Sequence, residues 1–179
     1  LLRRAAQRGD GSRGFAMMYV LLFVLAAGLA ASVLVPRCAS WYHAALVQYE
    51  TDCLVSNLRL LQQMTRTAIV FPSNEGIGDD YLSLGKPELD LEDNLHEYRI
   101  IRLGFSPEGV QQRQNLVIHH YPPQITVAAR TKDTIDFGRD GSTLDITTIE
   151  VCYEGEQQKG KDVIIDIVGR IRVEEHHAK

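Results

Sequence analysis

Three aspartates stand around a glycine turn in the C-terminal half of the chain. Asp136, Asp140 and Asp145 flank Gly141. Carboxylate oxygens grouped at a turn are ligands that Ca²⁺ accepts, although turn carboxylates more commonly accept hydrogen bonds from the backbone around them. We therefore interpret these residues as serving the turn, and keep them as a secondary candidate for a cation site.

A second carboxylate-rich stretch runs from residue 72 to residue 95, where glycines and a proline predict a loop. Its spacing does not match an EF-hand loop. A solvated acidic loop is therefore the favoured interpretation, with cation binding as the alternative. The acidic residues in question are Glu75, Asp79, Asp80, Glu88, Asp90, Glu92 and Asp93.

The histidines and the remaining motifs give no catalytic constellation. His119 and His120 are adjacent on a predicted strand, so their side chains point to opposite faces and cannot share a metal. His176 and His177 lie in a polar C-terminal tail, which predicts a solvated position. No nucleophile elbow, phosphate-binding glycine loop or His-Glu-x-x-His motif occurs. The sequence therefore predicts a protein that is not an enzyme and has no cofactor.

The three cysteines are Cys38, Cys53 and Cys152. Cys38 and Cys53 lie about 22 Å apart along one predicted helix, so they cannot pair with each other. A disulfide between Cys53 and Cys152 is open in an oxidising compartment, and buried thiols are the alternative that we favour.

The charge balance does not favour nucleic acid as a partner. With 19 Lys and Arg against 23 Asp and Glu, the net charge is -4, so no global basic field attracts phosphates. Tyr98, Arg99 and Arg102 are a small basic and aromatic group that could touch DNA. We expect no nucleic acid.

One element must position everything else: an apolar run from Phe15 to Val35 without a single charged residue. Twenty-one helical residues rise about 30 Å, the thickness of a bilayer's hydrocarbon core. The preceding leader carries four arginines, and an excess of basic residues keeps its flank cytoplasmic. The sequence therefore predicts a single-pass helix with residues 1–14 inside and the chain after Val35 outside. A signal peptide cleaved near Ala30 is the competing interpretation, but the apolar run continues past that point.

The junction Arg13-Gly14-Phe15, followed directly by the apolar helix, resembles the processing site of type IV pilins and type II secretion pseudopilins. The resemblance implies that a prepilin peptidase cuts between Gly14 and Phe15 and that the new N-terminal Phe15 is methylated. Pro36 would be residue 22 of the mature chain, where many members of the family carry a proline at which the helix loosens in the filament.

Tyr19 is a departure from the family's pattern. The fifth mature residue is usually Glu, whose carboxylate pairs with a neighbouring N-terminal amine, and this chain has no acidic residue from Phe15 to Val35. A buried amine without its partner is costly. Minor subunits at a filament tip can lack this Glu, so the resemblance implies a minor rather than a major subunit.

After Pro36 the helical pattern resumes with one apolar stripe that includes Leu54, Leu58 and Leu61, and Phe71-Pro72 predicts its end. We interpret the stripe as the face packed on the domain's own sheet. Runs of β-branched and aromatic residues then predict strands over 98–103, 115–121, 124–129, 134–137, 146–153 and 162–173. In the last run, a break at Gly169-Arg170 suggests a bulge.

The C-terminal order Ile135-Asp136-Phe137, Asp140-Gly141 and Gly169-Arg170-Ile171 resembles H-type minor pseudopilins and FimT-like minor pilins. The predicted fold class is α+β, with a long N-terminal helix packed on an antiparallel β-sheet. The predicted divisions are a leader (1–14), a transmembrane and assembly helix (15–35), an amphipathic helix (36–71) and an acidic loop with a β domain (72–179). Leu58 and Leu61 should share a core with Ile165 and Ile167.

The resemblance implies a minor pilin or pseudopilin, stored in the inner membrane with its C-terminal domain periplasmic or extracellular. Its partners would be the prepilin peptidase and other pilins or pseudopilins. The alternative is a membrane-anchored β-domain that acts as an extracytoplasmic binding module. Processing at Gly14-Phe15 distinguishes the two.

Overall fold

The computed structural model describes residues 10–67, 86–91, 96–105, 111–155 and 159–176. Two compact units divide the chain, Leu1–His43 and Ala44–Lys179. The first carries the apolar half of the single described helix, α1 (Asp10–Thr67), and the second carries the rest of α1 with all the described strands. The fold class is therefore α+β, as predicted from the sequence.

Helix α1 continues through Pro36 without interruption. Its first described residue is Asp10, inside the predicted leader, and its last described residue is Thr67, whereas the sequence predicted helical segments over 15–35 and 36–71. The residues from 68 to 71 lie outside the described part of the chain.

Antiparallel pairing makes two four-stranded sheets where the sequence predicted one. The first sheet has the order β3-β2-β1-β5 and the second has the order β4-β6-β7-β8. The strands are β1 (Pro87–Asp90), β2 (Glu97–Phe105), β3 (Gln111–His120), β4 (Ile125–Ala129), β5 (Thr134–Asp136), β6 (Thr147–Tyr153), β7 (Lys161–Ile165) and β8 (Ile171–Glu175).

Strand β1 lies within the stretch that the sequence predicted as loop. It pairs with β2 on one side and β5 on the other. Leu89 and Leu91 are buried while Glu88 and Asp90 are half-buried, so this short strand shows the alternation of a sheet with one covered face. The prediction failed because the acidic residues sit on the outer positions and dominate the composition. Most of the remaining predicted loop lies outside the described residues.

The predicted last strand is a hairpin rather than one bulged strand. The turn between β7 and β8 is closed by the amide of Gly169, which donates to the carbonyl of Asp166 at 2.8 Å. Gly169 has a φ of 78°, a left-handed conformation that glycine adopts without strain. Ile167 lies in this turn and is exposed, so its predicted place in the core is wrong.

One apolar core joins α1 to both sheets. The predicted core residues Leu58, Leu61 and Ile165 are fully buried within it. Both sheets present alternate side chains to the helix, which is why short strands suffice to cover its apolar stripe. Further members are Val47, Leu54, Leu89, Tyr98, Ile100, Ile125, Val127, Ile135, Phe137, Ile149, Val151 and Val163.

The end of α1 is held by two turns that are distant in sequence. The side-chain amide of Gln62 donates to the carbonyl of Gly141 at 2.8 Å and to that of Gly169 at 3.0 Å. A Cβ at Gly169 would overlap the carbonyl oxygen of Gly141, so the two turns touch backbone to backbone. This contact fixes the predicted Gly141 turn against the β7–β8 turn.

Candidate membrane and assembly interface

The surface of α1 from Phe15 to Val35 is apolar on every side. All the side chains of this segment are exposed, and no charged residue occurs in it. Within the described part of the chain, α1 is the one helix that is long and apolar enough to cross a membrane. A helix that is apolar all round is stable only where its surroundings are apolar. The segment fits a membrane anchor.

The side-chain hydroxyl of Ser32 has its hydrogen-bond partner within the helix. The hydroxyl of Ser32 donates to the carbonyl of Leu29 at 2.8 Å, within the helix itself. Such a bond leaves no unsatisfied donor facing lipid. Tyr19 is 66% exposed, so its side chain is available to a neighbouring molecule.

Small residues are concentrated in the middle of the segment, from Ala26 to Ser32. A Cβ at Gly28 would meet nothing within 4 Å, so this position is an open notch on the helix surface. Small residues one helical turn apart allow two helices in a membrane to approach closely. Gly28 was not among the predicted assembly residues. The spacing of Gly28 and Ser32, two small residues four positions apart, is the sequence signal that indicates it.

Polar and aromatic side chains begin immediately after the apolar segment. Arg37 follows Pro36 directly, and Trp41 and Tyr42 are both largely exposed. Tryptophan and tyrosine are enriched where a membrane meets water, since their rings are apolar and their polar tips are wet. These residues mark the C-terminal boundary of the apolar segment.

The predicted processing residues lie inside α1. Gly14 belongs to the backbone of the helix, and Phe15 is 64% exposed. The predicted cleavage point and the start of the uncharged apolar run therefore coincide in sequence.

Two of the three aspartates proposed as secondary cation ligands, Asp136 and Asp140, already form ion pairs or hydrogen bonds within the chain. Asp136 pairs with Lys86 and lies 3.9 Å from Lys132. Asp140 accepts hydrogen bonds from the hydroxyl and the amide of Ser142, and these bonds lower the pKa of Asp140. Within the described part of the chain, these two residues and Asp145 are not among the side chains that lie close enough together to hold a metal ion.

The adjacent histidines of β3 point to opposite faces, as predicted. His119 Nε2 lies 2.7 Å from a carboxylate oxygen of Glu50 on α1, and its ring stacks on Tyr98 with centroids 4.8 Å apart. His120 is largely exposed and pairs with Glu97 at 3.0 Å. Burial raises the pKa of Tyr98, whose hydroxyl accepts a hydrogen bond from the side-chain amide of Asn57 at 2.9 Å. These residues join the first sheet to the helix.

The small basic and aromatic group on β2 does not form one surface. Tyr98 is buried, Arg99 pairs with Glu97 and Arg102 contacts Gln114. Stacking on a nucleic acid base requires an exposed ring, which Tyr98 does not offer.

A cleft of about 510 Å³ opens beside the end of α1. Its basic residues are Arg59, Arg170 and Arg172, but Asp166 neutralises Arg170 through a 2.9 Å ion pair. The carboxylate of Asp166 also accepts the amides of Val168 and Arg170, and these contacts lower its pKa. The cleft is therefore built mainly around the stabilised β7–β8 turn.

None of the three cysteines forms a disulfide. Cys53 lies on α1, whereas Cys152 alternates along β6 with Val151, which faces the helix. Successive side chains of a strand point to opposite faces. Cys152 therefore lies on the far side of the second sheet, and the sheet separates it from Cys53.

His176 is buried, which corrects the prediction of a solvated tail. Its backbone amide donates to the carbonyl of Gly160 at 3.0 Å, which extends the β7–β8 pairing by one residue. Its ring nitrogen Nδ1 lies 2.7 Å from Asp162 Oδ1. His177 lies outside the described residues. The polar sequence around His176 did not indicate its burial, because that burial comes from the neighbouring strands.

Comparison with known proteins finds similarity at the level of solved structures. No protein-family profile matches the sequence, and no curated protein matches it. The type IV minor pilin FimU of Pseudomonas aeruginosa PAO1, in its P21 crystal form, superposes with a TM-score of 0.41 and 17% identity, covering 70% of this chain and 90% of FimU. The P65 form gives a TM-score of 0.39 and 16% identity, covering 66% of this chain and 90% of FimU. Both TM-scores are below 0.5, so function is argued from the residues of this chain.

Proposed function

We propose that this protein is a minor pilin or pseudopilin, a membrane-stored structural subunit that joins or primes a type IV pilus-like or type II secretion filament. The observation that carries the proposal is the coincidence at Gly14-Phe15. The processing motif ends where the uncharged apolar run of the helix begins, and every side chain of that run is exposed. Cleavage there would leave a helix whose apolar surface can move from lipid to the apolar interior of a filament.

The proposed orientation follows from the charges on either side of the helix. The arginine-rich leader stays in the cytoplasm, and the Ala44–Lys179 unit lies on the periplasmic or extracellular side of the inner membrane. Trp41 and Tyr42 would lie at the outer interface. The partners are a prepilin peptidase and other pilins or pseudopilins.

Tyr19 supports a minor rather than a major subunit. A subunit inside a filament buries its N-terminal amine, and Tyr19 provides no carboxylate to pair with it. An unpaired buried charge is strongly unfavourable. At a filament tip the amine has fewer neighbours, so we assign the chain to a starting or terminal position.

Mass spectrometry of the mature N-terminus tests the proposal. We expect a chain that starts at a methylated Phe15 in a host with a prepilin peptidase, and an intact leader in a host without it. Gly14→Glu should leave the leader attached, whereas Ser12→Ala, two residues away, should be processed normally.

Trimming of Gly14→Glu to Phe15, or an intact leader in the peptidase-containing host, would contradict the proposal. The second result would favour the alternative of a membrane-anchored binding module.

A further inference from the structure

Three side chains with metal-binding atoms meet on the outer face of the second sheet. Glu150 and Cys152 are two residues apart on β6, so they share a face. His176 follows β8 and reaches the same place. The ligand atoms of these three residues all lie within 4.8 Å of one another. We propose that Glu150, Cys152 and His176 bind a zinc-type divalent cation.

The donor set selects the class of metal. One sulfur, one imidazole nitrogen and one carboxylate oxygen suit Zn²⁺, whereas Ca²⁺ and Mg²⁺ prefer oxygen alone. Ligands around a tetrahedral zinc ion are about 3.3 to 3.8 Å apart, given bonds of about 2.0 to 2.3 Å. A contraction of about 1 Å, within reach of small side-chain rotations, would close the site. Water would take the fourth position.

Asp162 orients the histidine for this task. Its carboxylate can only accept a hydrogen bond, so Nδ1 of His176, 2.7 Å away, carries the proton. In the neutral ring, the lone pair is then on Nε2. A carboxylate that holds the second nitrogen of a histidine ligand is the usual partner of zinc-bound histidine. Asp162 is therefore a positioning residue for the site.

The local charge also favours a dication. Arg130 pairs with Glu150 and lies 3.4 Å from Asp162, so it neutralises only one of the two carboxylates. With Cys152 as a thiolate, the cluster would carry two net negative charges, which a zinc ion balances. Arg130 fixes the Glu150 carboxylate through Oε1.

The backbone is shaped to bring the ligands together. A Cβ at Gly160 would overlap the sulfur of Cys152 and approach the Cβ of His176. Gly160 therefore lets the β6 sulfur and the end of β8 come close across β7. Metal binding would join β6 to the end of β8.

Cobalt titration tests this site in the full-length chain. The protein should be purified in detergent without a polyhistidine tag, with Cys38→Ser and Cys53→Ser so that Cys152 is the only thiol. We expect one equivalent of Co²⁺ to give a thiolate-to-cobalt charge-transfer band and the d–d bands of tetrahedral cobalt. Zn²⁺ should remove both sets of bands.

Variants assign the ligands. Cys152→Ser should abolish the charge-transfer band, and His176→Gln should weaken cobalt binding at least tenfold. Asp162→Asn should weaken it about 10- to 100-fold, as loss of a supporting carboxylate does. His120→Gln, an exposed histidine paired with a glutamate on the other sheet, is the matched control and should bind normally.

Alkylation provides a readout that does not depend on mutated ligands. Zn²⁺ should slow the reaction of Cys152 with iodoacetamide at least tenfold, and a chelator should restore the rate. The proposal is overturned if no charge-transfer band forms, if His176→Gln leaves it unchanged, or if Zn²⁺ fails to protect Cys152. None of these outcomes bears on processing at Gly14, so the proposed function stands or falls separately.

Discussion

Residues 15–35 and residues 47–61 belong to one helix but differ in which side chains they expose. In the first segment every side chain is exposed and none is charged. In the second, Val47, Leu54, Leu58 and Leu61 are buried while intervening positions such as Arg59 face outward. A single element therefore carries two hydrophobic patterns, one uniform and one confined to a stripe.

The difference shows that the uniform apolar surface and the apolar stripe are stable in different environments. A stripe needs a partner surface on one side only, and the two sheets provide it. A uniform apolar surface needs an apolar medium on all sides, which lipid or the interior of a filament provides. The comparison predicts that the same substitution destabilises the second segment and leaves the stability of the first unchanged.

Leu61→Ala against Leu22→Ala gives the largest expected contrast. Leu61 is fully buried, so its loss should lower the free energy of unfolding by about 2 to 5 kcal/mol. The melting temperature should fall by several degrees. Leu22 is exposed, so Leu22→Ala should leave the melting temperature unchanged. Near-ultraviolet circular dichroism of the full chain in detergent follows the packed tyrosines rather than the detergent-stabilised helix. Equal melting temperatures for the two variants would break the comparison.

The next contrast concerns the turn that holds the end of the second segment. Gly169→Ala should destabilise the domain by about 1 to 3 kcal/mol more than Gly155→Ala. Both glycines have positive φ, but a Cβ at Gly155 meets nothing within 4 Å, whereas one at Gly169 overlaps the carbonyl of Gly141. Urea unfolding of the two variants measures the difference. Identical midpoints would mean that the close contact between Gly169 and Gly141 contributes nothing to stability.

The smallest expected effect lies in the first segment. Tyr19→Glu should increase incorporation into filaments severalfold, because the new carboxylate pairs with a neighbouring N-terminal amine. Tyr19→Phe, which keeps the ring and adds no charge, is the control and should behave like the unaltered chain. Quantitative immunoblotting of sheared filaments against membranes measures the ratio. Abundant filaments built from the unaltered chain alone, seen by electron microscopy, would contradict the reasoning.

The elements that could be predicted from the sequence are those that a local pattern of residues determines. The α1 stripe and the strands from β2 to β6 follow from periodicity, and Leu58, Leu61 and Ile165 lie in the core as expected. Strand β1 was missed because four residues carry too short an alternation to outweigh their acidic neighbours. The turn around Ile167 was missed because the break in alternation at Gly169-Arg170 was interpreted as a bulge within one strand rather than as the turn of a hairpin.

The candidate sites divide in the same way. The processing motif and the membrane segment are contiguous, so sequence alone indicates them, and they remain predictions to be tested at Gly14 and Phe15. The cluster of Glu150, Cys152 and His176 could not be predicted, since strand register brings together residues up to 26 positions apart. The burial of His176 likewise depends on its pairing beside Gly160.

The contacts of Gln62 have a consequence for the order in which the chain folds. Its two partners, Gly141 and Gly169, lie 79 and 107 residues further along the chain. During synthesis, the apolar stripe of α1 therefore emerges long before β7 and β8 can cover it. Topologies with such distant contacts fold slowly and expose apolar surface on the way. The yield of folded protein should therefore depend on how quickly the β7–β8 hairpin closes, and a chaperone that shields the stripe would raise that yield without altering the final stability.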